Sequence, residues 1–477
     1  MENFYLILVV ILFALAISDL IVGVSNDAVN FLNSAIGSKA ARKWVIYTVA
    51  SLGVLVGATF SSGMMEVARK GIFHPDMFVF SEIMVIFLAV MITDIILLDT
   101  FNTFGLPTST TVSIVFELLG AAVAVSLVKI YSSDGSLVEL AKYINSGKAL
   151  AIITGILLSV FVAFVVGAII QYLSRLMFSF RYQKNLKYFA GFFGGLAIAS
   201  ITYFMIIKGA KGASFMKAET VAFLKNNMLE ILIYSLIGWT ILLQLLYWLF
   251  KIDIPKIIVL VGTFALAMAF AGNDLVNFIG VPLAGFESFK AWSTQAISSP
   301  DEFQMTILTG KVGTPTYMLL IAGLVMIITL ITSRKARSVV ATTLDLSRQN
   351  EGEERFQSSL FSRLVVRNTI NVNKKFKRLM PGNVNRFLEN RFQAIQDFTA
   401  SNDPDKPAFD KIRASVNLIV ASILISLGTS LKLPLSTTYV TFMVAMGTSL
   451  SDRAWDRESA VYRISGVFTV ISGWFLT

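Results

Sequence analysis

Two short polar motifs interrupt apolar stretches of the chain, and each occurs twice. The first is Asn26-Asp27-x-x-Asn30, recurring as Asn273-Asp274-x-x-Asn277. The second is Leu106-Pro107-Thr108-Ser109-Thr110-Thr111, recurring as Leu433-Pro434-Leu435-Ser436-Thr437-Thr438. An ionisable side chain inside an apolar run is costly at membrane depth and marks a functional site by default. Asp carboxylate and Asn carbonyl oxygens are hard ligands, suited to Na⁺ or to carrying a proton. One helical turn returns Asn30 and Asn277 to the face of Asp27 and Asp274. Glycine beside small polar residues (Gly23-Val24-Ser25 and Ala271-Gly272) permits an unwound backbone, whose freed carbonyls can coordinate a cation.

The Pro-x-Ser-Thr-Thr motif has a different logic. Proline suits the first turn of a helix, where its missing N–H costs nothing. The hydroxyls and free N–H groups that follow form a neutral, donor-rich helix end, an anion site without Lys or Arg. Ser109, Thr110, Thr111, Ser436, Thr437 and Thr438, together with Asp27 and Asp274, are therefore expected to hold a small tetrahedral oxyanion. Asn26, Asp27, Asn30, Asn273, Asp274 and Asn277 are expected to hold a coupling ion. The aspartates would repel the anion unless a cation or proton intervened, so anion binding is expected to be coupled to Na⁺ or H⁺. The bland readings are a helix cap for Ser-Thr-Thr and an interhelical hydrogen-bond cluster for Asn-Asp; recurrence of both in the same order argues against them.

The elements that position these motifs follow from composition. The chain has 477 residues, 55% hydrophobic and only 15% charged, with 38 Phe, and a mean hydropathy of +0.71. A soluble chain carries about 25% charged residues, and a bilayer-crossing helix needs about 20 mostly apolar ones. The expected fold is an all-α polytopic membrane protein with about twelve transmembrane segments (4–24, 44–60, 80–99, 109–130, 148–173, 187–207, 229–250, 255–283, 314–332, 414–431, 433–450, 461–477), in two inverted-topology repeats with broken helices at the site. The absence of cysteine and the single histidine, His74, exclude thiolate and nearly all His-based chemistry. No enzyme is expected, and no cofactor beyond the coupling ion.

The long polar region 334–413 holds 16 Lys and Arg against 9 Asp and Glu. Placing it inside puts most basic residues inside, the sense of the positive-inside rule, with the N-terminus outside. The net charge of +10 is then topology, and no nucleic-acid partner is needed. The two Asn-Asp segments fall an odd number of crossings apart, as do the two Ser-Thr-Thr segments, so the halves run in opposite directions. That is an architecture of secondary transporters. The expected organisation is a first transmembrane repeat (1–173), linking transmembrane helices (174–254), the first part of the second repeat (255–333), a basic cytoplasmic loop (334–413) and the rest of the second repeat (414–477), with the natural chain continuing past Thr477. Within the loop an amphipathic helix is expected over 356–380. Glu82, Asp94, Asp99, Glu117 and Asp19 fall in or beside apolar segments. Glu117 lies about two turns beyond Ser109 and either lines the pathway or bonds to a neighbouring helix.

At these residues the chain resembles the PiT family of inorganic phosphate transporters, over about 5–130 and 255–470. The family's Gly-Ala-Asn-Asp-Val-Ala-Asn stretch is matched by Gly23-Val24-Ser25-Asn26-Asp27-Ala28-Val29-Asn30 and by Ala271-Gly272-Asn273-Asp274-Leu275-Val276-Asn277. Gly63-Met64-Met65-Glu66-Val67-Ala68-Arg69-Lys70-Gly71-Ile72 looks like its Gly-Glu-Thr-Ile-Arg-Lys-Gly-Ile loop. Val112 and Tyr439 stand where the family often has His. The resemblance implies an inverted-repeat bundle that carries phosphate between the two Ser-Thr-Thr helices with Na⁺ or H⁺, and a transport role for Glu66. It implies a place in the cytoplasmic (inner) membrane, with the lipid bilayer as partner and a homo-oligomer left open. A sulfate permease on the same scaffold and an ion channel are the alternatives.

Overall fold

The computed structural model describes residues 2–61, 72–203, 217–295, 299–310, 315–349, 354–393, 406–431, 433, 435–455 and 459–477. Glu66 lies outside the described residues. Those described are almost entirely helical, apart from two isolated β-bridges. The helices used below are α1 (Glu2–Gly37), α2 (Lys43–Phe60), α3 (Phe80–Phe104), α4 (Thr110–Ser132), α5 (Ser146–Met177), α6 (Gln183–Thr202), α7 (Met228–Phe250), α8 (Ile254–Thr294), α9 (Thr316–Thr332), α10 (Lys335–Ser347), α11 (Leu360–Leu379), α12 (Gly382–Phe392), α13 (Lys411–Ser430), α14 (Thr437–Ser451) and α15 (Ser459–Trp474).

Each of the twelve expected segments overlaps a described helix. Seven described helices are long and apolar enough to cross a bilayer, eight if the bent pair α9–α10 counts as one span. This is a multi-pass membrane protein. Twelve full crossings are more than these lengths establish.

The two longest helices carry the Asn-Asp motifs. α1 has 36 residues and α8 has 41, about 54 and 62 Å at 1.5 Å per residue. Both therefore run past an apolar layer of about 30 Å. The backbone stays helical through Asn26-Asp27 and Asn273-Asp274. This corrects the unwinding expected there. The physical reason is that the Asn and Asp side chains find partners on neighbouring elements, so the local backbone carbonyls keep their own helical donors. The chain breaks instead at the Ser-Thr-Thr motifs: helix ends at Phe104 and restarts at Thr110, ends at Ser430 and restarts at Thr437.

The resulting hairpins, α3–α4 and α13–α14, are equivalent in the two repeats. α3 packs on α1, and α13 packs on α8. α1 and α8 also pack on each other, while α2 lies against α8 and α9 against α1. The close approach of α2 depends on Gly53 and Gly57, which face the α8 carbonyls of Phe264 and Met268; a Cβ at either would also fall 2.9 Å from that of Ala267 or Ala271. Small residues four apart allow helix backbones to meet in this way. α10 folds back 68° from α9 and buries Val339, Val340 and Leu346, so this stretch of the polar region joins the core. The amphipathic helix expected over 356–380 is α11.

Candidate anion and cation site

Ser109 and Ser436 start the two hairpin helices. Each side chain accepts a hydrogen bond from the backbone N–H three residues on, Val112 at 3.1 Å and Tyr439 at 3.0 Å. Each is thus an N-cap that takes one of the free donors of the first turn. The threonines that follow point to the helices of the Asn-Asp motifs. All six hydroxyl residues are buried, as are both Asn-Asp-x-x-Asn sets.

The bonding has two-fold symmetry. Asp27 accepts from Thr110 of its own repeat at 2.9 Å and from Thr438 of the other at 2.8 Å. Asp274 accepts from Thr437 of its own repeat at 2.6 Å and from Thr111 of the other at 2.8 Å. Asn30 Nδ2 donates to Thr437 and Thr438 at 3.2 and 3.0 Å. Asn277 Nδ2 donates to Thr110 and Thr111 at the same distances. Each threonine hydroxyl thus gives its hydrogen to a carboxylate and receives one from an amide, and each aspartate ties the two repeats together.

Asn26 and Asn273 do other work. Asn26 Nδ2 donates to Asn102 Oδ1 at 2.9 Å and to the Leu106 carbonyl at 3.1 Å, and its Oδ1 accepts from the Thr108 N–H at 2.9 Å. Asn273 Nδ2 donates to the Leu435 carbonyl at 2.9 Å, and its Oδ1 accepts from Thr429 at 3.3 Å. Both hold the non-helical hairpin tips. Asn273 Nδ2 also donates to Asp274 Oδ1 at 2.9 Å, so this residue touches the centre as well as the tip.

A small cavity adjoins the centre, where Asn30, Asn33, Ser34, Asn417, Thr438 and Thr441 share the wall with apolar Val29, Leu266 and Phe442. Thr441 donates to Asn30 Oδ1 at 2.9 Å, and Asn417 donates to Ser34 at 3.2 Å. The motif reading missed Asn33, Ser34, Asn417 and Thr441. A signal was present: Asn33 lies one turn beyond Asn30, and Thr441 one turn beyond Thr438, each extending a polar face. Tyr439 turns away, its ring stacked on Trp474 at a centroid distance of 3.8 Å.

With this geometry in view, residues 23–343 match the phosphate transporter family. The chain belongs to that family. A Thermococcus kodakarensis protein named as a phosphate permease is 25% identical over 276 residues, which span 54% of this chain and 61% of that relative. A solved structure described as "The sodium-dependent phosphate transporter" superposes with a TM-score of 0.63 at 17% identity, covering 98% of this chain and 94% of the other. At that identity the likeness is one of fold, and it extends over nearly the whole chain.

Proposed function

We propose that this protein imports inorganic phosphate across the cytoplasmic membrane by Na⁺-coupled symport with alternating access, the 334–413 region facing the cytoplasm and the N-terminus outside. The observation that carries the reading is the reciprocal bonding of Asp27 and Asp274 to the four threonines. In this arrangement the carboxylates occupy the hydroxyl donors that an oxyanion would use. A cation bound to the carboxylates and the Asn30 and Asn277 amide oxygens would replace those donors, and the Thr441 hydroxyl at Asn30 Oδ1 as well. The hydroxyls and the first-turn N–H groups of α4 and α14 would then turn to phosphate. Anion and cation sites therefore open together, which is a physical basis for obligatory coupling. Because each aspartate bonds to both repeats, ion binding also changes what holds the repeats in register. Family membership and the sodium dependence of the fold relative support the substrate and the ion.

The test is radiolabelled phosphate uptake into proteoliposomes, with Na⁺ and proton gradients imposed separately. Uptake should follow the Na⁺ gradient and saturate. Asp27→Asn and Asp274→Asn should each reduce it to background while the protein stays folded. Normal uptake in both variants would remove the aspartates from the mechanism. Inhibition by excess sulfate with sulfate moving instead would replace the substrate, and a non-saturating current would replace the carrier with a channel.

A further inference from the structure

A second buried polar group lies beside this centre. It comprises Asp19 on α1, Asp94 on α3, and Ser113 and Glu117 on α4. Asp19 and Asp94 are fully buried. Neither oxygen of Asp19 has a hydrogen-bond partner, and Asp94 Oδ2 and Glu117 Oε2 have none either. The charged groups facing Asp19 from the helices around it are Asp94 and Glu117, with Asp27 further along its own helix, all acidic. Those facing Asp94 and Glu117 are again members of the group, with Asp27 also within electrostatic reach of Asp94, all acidic.

Hydrogen counting gives an independent constraint. Ser113 Oγ is bonded to Asp94 Oδ1 and, at 2.8 Å, to Glu117 Oε1. A hydroxyl has one hydrogen to donate. One of the two contacts is therefore a carboxyl donating to Ser113 Oγ, and that carboxyl carries a proton. Asp19 neighbours Asp94 and is fully buried with no hydrogen-bond donor on either oxygen, and a buried carboxyl without donor or cation calls for a second proton. The three carboxyls are not arranged to share a metal ion.

The repeats sharpen the point. The first helices are set in register by Asp27 and Asp274, the hairpins by Ser109 and Ser436. The places of Asp19, Asp94, Ser113 and Glu117 are then taken in the second repeat by Leu266, Ala421, Val440 and Val444, all buried. The fold thus accommodates apolar residues at these positions, and the acids occur on one side only. We propose that Asp19, Asp94 and Glu117 form a proton-binding site, separate from the Asn-Asp and Ser-Thr-Thr centre and peculiar to the first repeat. α1 carries both Asp19 and Asp27, and α4 carries both Glu117 and Thr110. Proton occupancy of the site is thereby linked to the position of the elements that hold the transported ions. The site does not depend on which anion is carried.

The test is infrared spectroscopy of the purified full-length protein in H₂O and D₂O at neutral pH, without phosphate. Wild type should show a deuterium-sensitive carbonyl band of protonated carboxyl groups. Asp94→Asn and Asp19→Asn should each diminish it with an unchanged melting temperature, since an amide mimics the protonated acid. A separate reading is the pH profile of uptake under a fixed Na⁺ gradient, which should flatten in Asp94→Asn. An equal band in wild type and both variants would overturn the proposal. So would a wild-type band that disappears on adding Na⁺ at constant pH, which would make the group a sodium site. Because the infrared reading needs no transport, it stands or falls apart from the phosphate reading.

Discussion

Among the described residues, two buried groups of ionisable side chains are built on opposite principles. At the C-terminal end of α5, Arg175 bonds to Asp410 at 2.7 Å and to Asp452 at 2.6 Å, and the Arg413 Nε lies 3.0 Å from Asp452. Gln171 donates to Asp452, and Arg413 donates to the Ser347 carbonyl. Two cations meet two anions, and all three guanidinium nitrogens of Arg175 donate to a carboxylate. In the other cluster Asp19, Asp94 and Glu117 face one another, Ser113 and the neighbouring Asp27, none of them basic. Two carboxylates about 4 Å apart repel by about 4 kcal/mol even at an effective dielectric constant of about 20. The first cluster is complete in itself and ties α5, α13 and the end of α14 together. The second is complete only when something from solution joins it.

The comparison can be broken most directly at Arg175. Arg175→Met should leave Asp410 and Asp452 with too little positive charge and cost about 3–5 kcal/mol, read as a large fall in melting temperature or loss of folded protein on size-exclusion chromatography. A wild-type melt would mean that the cluster is not the clamp described here. A smaller effect should come from acid. Burial alone would raise Asp410, but Arg175 and the Arg413 N–H hold its carboxyl below the ordinary range. Its stabilising contribution is therefore complete above about pH 4, the ordinary Asp value, and is lost as pH falls through the lowered folded-state value. Denaturant melts should stay level down to that pH and weaken below it. Asp410→Asn should be less stable at neutral pH and lose that acid-dependent component.

Asp94→Asn sharpens the contrast. It removes a carboxyl from the acid cluster, yet should leave the melting temperature unchanged, a difference of less than about 1 kcal/mol, since no buried cation loses its partner. A loss as large as that of Arg175→Met would show that Asp94 is charged and paired. The smallest effect is expected at the exposed pair of Lys335 and Asp99, 2.5 Å apart with both side chains nearly half exposed. Lys335→Ala should change stability by less than about 1 kcal/mol, vanishing in high salt.

Much of the centre was legible in the residues themselves. Asp27, Asp274 and the four threonines meet, and Asn30 and Asn277 join them one turn on. Asn26 and Asn273 belong to the same motifs but hold the hairpin tips, because their position one residue earlier aims them at Asn102 and at Leu435. Ser109 and Ser436 are caps, the bland reading of a hydroxyl beside a helix start. α1 and α8 run unbroken where Gly23 and Gly272 suggested unwinding, since neighbouring hairpins satisfy the polar side chains. The apolar period of α1 ends near residue 24, yet the helix continues to Gly37, because Ser25 to Ser34 are buried against partners distant in the chain.

The sequence by itself determined that the chain lives in a bilayer, where its helices lie, where two of them restart and that its polar motifs are duplicated. Each of these follows from local physics: apolar length against membrane thickness, a proline and a capping serine, a repeated spacing. Tertiary structure alone decided that each aspartate bonds to threonines of both repeats, and that Asp19, Asp94 and Glu117 converge while Arg175 finds Asp410 and Asp452. Those outcomes depend on distances between elements far apart in the chain. Residue pattern leaves such distances free, and only helix packing sets them.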